Sequence, residues 1–229
     1  MTGTDTDAGK TYVSAGLLQA AARAGYKSLG LKPIAAGADL IDEQWMNEDA
    51  RQLIQAANVP LPYEQVNPVL LKAAIAPHIA AAQEGRLIGV SRLEGVVRGA
   101  LLNPHQFALV EGAGGWRVPV NDREMLSDLA KRLSFPVILV VKMRLGCLNH
   151  ALLTAEAILR DGLPLAGWVA NADVSEMSAY EDNLATLKAM MPAPLLGQLS
   201  WNEASDQSHS EFDQMFEKLL AVDCKVKNF

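Results

Sequence analysis

Short apolar runs alternate along the chain with segments whose apolar residues recur at helical spacing. The candidate strands are residues 28–32, 107–110, 137–141, 165–170 and 195–199. These runs are continuous rather than interleaved with polar residues. That pattern is typical of strands buried on both faces of a parallel sheet.

Helical spacing marks the intervening segments. After Asn47, a suitable N-cap, the residues Ala50, Leu53 and Ala57 fall on one face of a helix. The candidate helices are residues 10–24, 48–57, 92–102, 125–133, 150–160, 179–190 and 211–220. Alternation of this kind predicts an α/β fold with a doubly wound, mostly parallel sheet flanked by helices, formed by one domain over residues 1–229. Ligands of such sheets bind at the carboxyl ends of the strands.

Composition and net charge limit the classes of protein to which the chain can belong. The chain has 229 residues, of which 50% are hydrophobic, and a net charge of −6. This acidic balance disfavours a nucleic-acid surface, which needs clustered Lys and Arg. Two cysteines, Cys147 and Cys224, do not make a disulfide framework or a metal cluster. With no run of transmembrane length and no leader-like segment, we expect a cytoplasmic protein.

A glycine-flanked segment near the start precedes the first predicted helix. This segment begins at Gly3 and ends with Gly9-Lys10-Thr11. Glycine lets backbone N–H groups approach phosphate oxygens, and the following helix N-terminus adds donors and a positive dipole end. Lys10 would reach the β and γ oxygens of a nucleotide and Thr11 would bind Mg²⁺. Five residues separate the glycines where four are usual, and an ordinary turn before a helix remains the alternative.

The segment before this loop is unusually short. Only Met1 and Thr2 precede Gly3, although a phosphate-binding loop normally follows a buried central strand. Without that strand, neighbouring backbone groups would lack partners. We therefore expect the first strand to be truncated by about five to seven residues, a typical strand length.

Charged residues follow two of the predicted strands. Lys32 ends the first, where it could point at the same phosphate as Lys10, and Glu111 ends the second, before a glycine-rich stretch. Glu111 resembles the acidic metal ligand of nucleotide-binding sites. A surface lysine and a solvated glutamate are the alternatives. Asp49 lies in the first turn of its helix, where a carboxylate complements the helix dipole. Taken alone, this position favours that role over metal binding.

Two further strand ends carry candidate binding groups. The loop before the helix at 150–160 could bind a carboxylate through its backbone N–H groups. Cys147 in that loop has no assigned acid–base partner, which favours a small buried residue over a nucleophile. Asn171 could read a purine edge or cap a turn. Trp201 could stack on a base or pack half-buried.

Together these segments resemble the dethiobiotin synthetase family. The resemblance extends from Gly3 to about Trp201 and includes the five-residue spacing between the glycines. The matching segments are residues 3–11, 30–33, 47–50, 110–116, 146–155, 167–171 and 192–197.

The resemblance implies a phosphate-loop NTPase fold and an ATP- and Mg²⁺-dependent ring closure in biotin synthesis. Diaminopelargonate takes up CO₂ as a carbamate, whose oxygen attacks the γ-phosphate to give a carbamic–phosphoric anhydride. The second amine then closes the ring to dethiobiotin, with ADP and phosphate as the other products. The family is a homodimer.

The resemblance also implies roles for individual residues. Lys10, Lys32 and Thr6 would be catalytic, and Thr11, Asp49 and Glu111 would bind Mg²⁺. The nucleotide-binding residues would be Asp7, Ala8, Gly9, Lys10, Thr11, Tyr12, Asp49, Glu111, Gly112, Ala113, Gly114, Asn171, Ser200, Trp201 and Asn202. The substrate-binding residues would be Thr6, Lys32, Ala36 and, from the partner subunit, the turn of Gly146, Cys147, Leu148 and Asn149.

Some positions depart from the family pattern. A small hydroxyl residue is common where Ala36 stands, Asp where Ala172 stands, Pro where Ser200 stands and Gly where Lys142 stands. A nucleotide-dependent switch ATPase and a non-catalytic nucleotide-binding paralogue remain alternatives, although residues 4–8 lack the extra lysine of such switches. We expect loss of Lys32 to reduce turnover by orders of magnitude and to leave the fold intact.

Overall fold

In this computed structural model, the residues described are 1–172, 177–200 and 205–222, without the side chains of 200 and 205–208. The strands are β1 (Thr2–Gly3), β2 (Ser28–Leu31), β3 (Ile34–Ala36), β4 (Asp39–Ile41), β5 (Gln44–Met46), β6 (Val69–Leu71), β7 (Phe107–Val110), β8 (Val137–Met143), β9 (Leu165–Ala172) and β10 (Leu195–Ser200). The helices are α1 (Lys10–Arg23), α2 (Glu48–Ala56), α3 (Tyr63–Val66), α4 (Pro77–Gln83), α5 (Val90–Ala100), α6 (Leu126–Leu133), α7 (Cys147–Arg160), α8 (Tyr180–Met190) and α9 (Ser205–Ala221).

Parallel strands form the centre of the molecule. One sheet has the order β1-β8-β9-β10, and β2 pairs in parallel with β7 beside it. The two are joined at the start of the chain, since the Met1 amine donates to Val110 O at 2.8 Å and Gly112 N donates to Met1 O at 3.0 Å. The predicted mostly parallel sheet is confirmed.

Helices cover both faces of this sheet. In β8, Val140 packs in a cluster with Leu17 of α1 and Phe216 of α9. Its neighbour Val141 packs in another cluster with Ala151 of α7. Successive residues of a strand point to opposite faces, so α1 and α9 lie on one face and α7 on the other. This is the doubly wound arrangement that the continuous apolar runs predicted.

A cavity of about 420 Å³ lies beside the short strand β1. Its lining residues come from the start of the chain, from β7 and β8, and from α6 and α9; they include Met1, Ala108, Leu129, Ile138 and Leu219. Among the described residues, β7 is paired along its length only with β2. The gap therefore lies within the sheet, next to the expected short first strand.

The structure corrects several predicted boundaries. Helix α7 begins at Cys147 instead of residue 150, and α5 begins at Val90 instead of residue 92. Strands β8 and β9 continue two residues beyond their predicted ends. The predictions stopped at polar residues, but Lys142 and Asn171 remain in register with each other across β8 and β9.

Residues between β2 and α5 contain small elements that the sequence patterns did not predict. Strands β3 and β6 pair in parallel, and β4 and β5 form an antiparallel hairpin whose Leu40 and Trp45 are exposed. Each strand has three residues, too few for periodicity to be recognised. No helix of the described residues has the length and apolar character needed to cross a membrane.

Candidate active site

The loop before α1 is closed by Gly9, whose backbone has a φ of +89°. A Cβ at this position would lie 2.1 Å from Nδ2 of Asn171. That Nδ2 atom donates to Ala8 O at 2.9 Å, which ties the loop to the end of β9. Both the backbone conformation and the contact with Asn171 therefore favour glycine at position 9.

Lys10 starts α1 and is buried. Its Nζ atom donates to Asp5 O at 3.0 Å, across the loop. Burial, together with the nearby charge of Lys32, lowers the pKa of Lys10. The two lysines come from separate parts of the chain and lie close enough for their charges to interact. Their action on one phosphate stays a prediction.

Lys32 lies at the carboxyl end of β2 and joins two acidic residues. Its Nζ atom is 2.6 Å from Glu111 Oε1, 2.7 Å from Asp49 Oδ2 and 3.2 Å from Gly112 O. Burial opposes its charge, but the two carboxylates outweigh burial and raise the pKa of Lys32. Its ammonium is therefore held inside the site and is not a surface group.

Glu111 follows β7 and is fully buried. Its Oε1 atom also accepts a hydrogen bond from Thr11 Oγ1 at 2.8 Å. Its Oε2 atom is buried with no hydrogen-bond partner in the described part of the chain. A buried carboxylate oxygen without a partner is costly, so this atom can accept a cation or a donor.

Asp49 lies in the first turn of α2, facing Lys32. Asn47 caps the helix, since its Oδ1 atom accepts from Ala50 N at 3.2 Å. Burial raises the pKa of Asp49, but Lys32 and the Thr11 hydroxyl outweigh it, and the net pKa is lowered. The Asp49 carboxylate is therefore ionised at neutral pH and can bind a cation, which is more than complementing the helix dipole.

These donors match the preferences of Mg²⁺, which takes oxygen ligands and leaves part of its shell to phosphate and water. The set contains two carboxylates, from Asp49 and Glu111, and the Thr11 hydroxyl. Among the described residues, no three His, Cys, Asp or Glu side chains gather in a metal-binding group. The residues fit a cation shared with a phosphate better than an enclosed structural ion.

Two residues that the sequence did not single out connect these parts. Tyr63 Oη donates to Asn67 Oδ1 at 3.0 Å and accepts from Asn47 N at 2.8 Å. Asn67 Nδ2 donates to the backbone O of Lys32 at 2.7 Å. Nothing in their spacing signals this connection, because it depends on how α3 packs beside β2.

The other predicted nucleotide- and substrate-binding residues lie on several elements. Thr6 and Asp7 are exposed, and Asp7 has a φ of +55°. Gly114 approaches the same loop, since a Cβ there would lie 3.6 Å from Thr6 Oγ1. Tyr12 lies in the first turn of α1, and Ala36 ends β3. Their roles stay predictions.

The turn predicted to bind substrate forms the start of α7. Gly146 is the N-cap, with a φ of +94°, and Cys147, Leu148 and Asn149 form the first turn. Among the described residues, no hydrogen bond joins this turn to the lysine–carboxylate cluster of Lys10, Lys32, Asp49 and Glu111. Burial raises the pKa of Cys147, which disfavours a thiolate nucleophile.

Asn171 lies near the end of β9 with its Oδ1 atom buried and without a described partner. This orphaned acceptor is consistent with recognition of a base, which stays a prediction. Ser200 ends β10, and the predicted Trp201 and Asn202 lie outside the described residues.

Solved structures resemble this chain in fold. The septum site-determining protein MinD of Pyrococcus horikoshii, complexed with Mg-ADP, has a TM-score of 0.57 and 19% identity, covering 94% of this chain and 93% of its own. The MinC:MinD cell division complex of Aquifex aeolicus gives a TM-score of 0.58 at 12% identity, covering 100% and 97%. At such identities the likeness shows the fold alone.

Relatives found by sequence are much more similar to this chain. A family model described as an AAA domain matches residues 1–209. The ATP-dependent dethiobiotin synthetase BioD of Cellvibrio japonicus is 57% identical over 86% of each chain. The protein of the same name from Marinobacter nauticus is 46% identical over 100% of this chain and 97% of its own. With this identity over nearly its whole length, the chain belongs to the dethiobiotin synthetase family.

Proposed function

We propose that this protein catalyses the ATP-dependent carboxylation and ring closure of diaminopelargonate to dethiobiotin. The observation that carries the proposal is the position of Lys32, between Glu111 and Asp49 and beside the phosphate loop. The names of the close relatives support the same reaction. The two lysine ammonium groups supply the positive charge that a transferring phosphoryl group requires.

The chemistry explains why ATP is needed. A carbamate formed from one substrate amine and CO₂ is an anion and therefore a poor electrophile. Transfer of the γ-phosphoryl to its oxygen creates a mixed anhydride and releases ADP. The second amine then attacks the carbonyl carbon, closes the ring and expels phosphate.

Lys10 and Lys32 take different parts in this scheme. Lys10, starting α1 beside the loop backbone, binds the β and γ oxygens of ATP. Lys32 stabilises the carbamate and the charge on the transferring phosphoryl group. Positioning and electrostatic stabilisation supply most of the rate enhancement in reactions of this type.

Thr11, Asp49 and Glu111 are the residues that would hold Mg²⁺. The ion neutralises phosphate charge when bound. Lys32 already pairs with both carboxylates, so it must share or release them as the nucleotide site fills. Before the substrates bind, the carboxylates of Asp49 and Glu111 keep Lys32 charged and in place.

A homodimer is part of the proposal. The first turn of α7 presents backbone N–H groups at a helix N-terminus, which suits the substrate carboxylate. Beside this turn, Leu145 is 94% exposed, and Leu153 on the same helix is also exposed. Contact with a second subunit would cover these side chains and bring the turn to the partner's lysines.

Product analysis tests the proposed reaction. The protein is incubated with diaminopelargonate, ¹³C-bicarbonate and ATP, and the products are identified by mass spectrometry. We expect labelled dethiobiotin and phosphate release that depends on the diamine. Phosphate release that ignores the diamine would favour a switch ATPase, and no release would favour a non-catalytic paralogue.

A further inference from the structure

We propose that Tyr63 and Asn67 are positioning residues that hold the Lys32 end of β2 and the Asp49 end of α2 at a fixed separation. The structural basis is a chain of three hydrogen bonds from Lys32 O through Asn67 and Tyr63 to Asn47 N. We call this chain the α3 link. This inference rests on the proposed function, because it concerns how that site binds Mg²⁺.

The chain segment that connects the two ends is poorly suited to hold them at a fixed separation. Residues 33–48 separate Lys32 from Asp49, and they include the β4–β5 hairpin, whose residues are exposed or half-buried. The α3 link is much shorter. Asn67 and Asn47 are both buried, and the hydrogen bond from Asn67 to Lys32 O is shielded from competing water.

Each bond of the link has a defined direction. The Asn67 amide donates to Lys32 O, and its Oδ1 atom accepts from Tyr63, whose Oη atom in turn accepts from Asn47 N. Burial raises the pKa of Tyr63, so its hydroxyl keeps its proton at neutral pH. A further bond, Lys32 N to Val66 O at 2.9 Å, fixes the same end of β2 to α3.

The link matters because the side chains of the site must change partners while the backbone stays in place. Lys32 Nζ is bonded to Asp49 in the structure, yet Asp49 is also the proposed Mg²⁺ ligand. If only the ion pair held the two ends together, its release would let them separate. The α3 link uses backbone atoms of Lys32 and Asn47, so it persists when the ion pair opens.

Nucleotide binding with and without Mg²⁺ tests this inference independently of the ligase reaction. ADP affinity is measured by calorimetry over a range of Mg²⁺ concentrations for wild type, Tyr63→Phe and Asn67→Asp. Tyr26→Phe is the matched control, because the Tyr26 ring packs on Phe216 away from the link. Asn67→Asp keeps the acceptor for Tyr63 and replaces the donor to Lys32 O by an acceptor.

Tyr63→Phe removes two hydrogen bonds of the link and Asn67→Asp removes one. For both variants we expect the Mg²⁺ concentration for half-saturation to rise by at least about three- to tenfold, which is the effect of losing one hydrogen bond. Mg²⁺-free ADP affinity should stay within about twofold of wild type. In turnover, kcat should fall with KM for the diamine unchanged. Unchanged Mg²⁺ dependence, or equal loss of affinity with and without Mg²⁺, would overturn the inference. If wild type shows no diamine-dependent turnover, the proposed ligase fails instead.

Discussion

Glu111 is fully buried, and its carboxylate is neutralised by Lys32 Nζ at a distance of 2.6 Å. Such a pair gains little over apolar packing when intact, but the loss of one partner leaves an uncompensated buried charge. The pair belongs to the proposed active site and is also a point at which the fold can be destabilised.

Replacement of Lys32 tests both consequences. We expect Lys32→Ala to abolish measurable turnover and to lower the free energy of unfolding by about 3 to 5 kcal/mol. This revises the expectation from sequence that the fold would be left intact. Steady-state kinetics and urea unfolding measure the two effects.

The double variant Lys32→Ala/Glu111→Gln is the control, because it removes both charges. It should recover much of the stability and none of the activity. Wild-type stability in the single variant would show that Glu111 is neutralised by other means.

Thr11→Val removes a hydroxyl with little change of shape. Since Thr11 Oγ1 donates to Glu111 Oε1 and is a proposed Mg²⁺ ligand, Mg²⁺-dependent nucleotide affinity should fall about tenfold. Affinity without Mg²⁺ should change little. The helical residue Thr186, which donates to Asp182 O, provides the control Thr186→Val. Equal Mg²⁺ dependence in both variants would remove Thr11 from the ligand set.

Gly9→Ala separates the contact with Asn171 from backbone strain. Gly9 and Gly85 both have positive φ, but a Cβ at Gly85 meets no atom within 4 Å. Gly85→Ala should therefore cost only about 1 kcal/mol of stability from strain. Gly9→Ala should also weaken nucleotide binding strongly, because either the loop or the Asn171 side chain must shift. Titration with ADP compares the two, and normal binding by Gly9→Ala would contradict the geometry.

Much of the fold could be predicted because its main strands are continuous apolar runs. Val137 to Val141 are buried from end to end, and no other element type fits so short an apolar segment in this context. Helix starts were less accurate. At α7 the helix includes Cys147, Leu148 and Asn149, but the apolar periodicity of the sequence becomes clear only afterwards.

The charged part of the site could also be predicted, since Lys32 and Glu111 follow neighbouring strands and the ends of parallel strands meet at one edge. Tyr63 and Asn67 could not be found in this way. Their function depends on two hydrogen bonds to backbone atoms of other segments, and backbone atoms carry no side-chain pattern. A four-residue helix such as α3 is also too short for its period to be recognised.

The contact between Gly9 and Asn171 also limits how the sequence can vary. A side chain at position 9 would occupy the space that Asn171 Nδ2 fills, so the two positions cannot change independently. A smaller residue at position 171 would free that space, but it would also remove the donor to Ala8 O. Substitutions in the phosphate loop are therefore coupled to the end of β9.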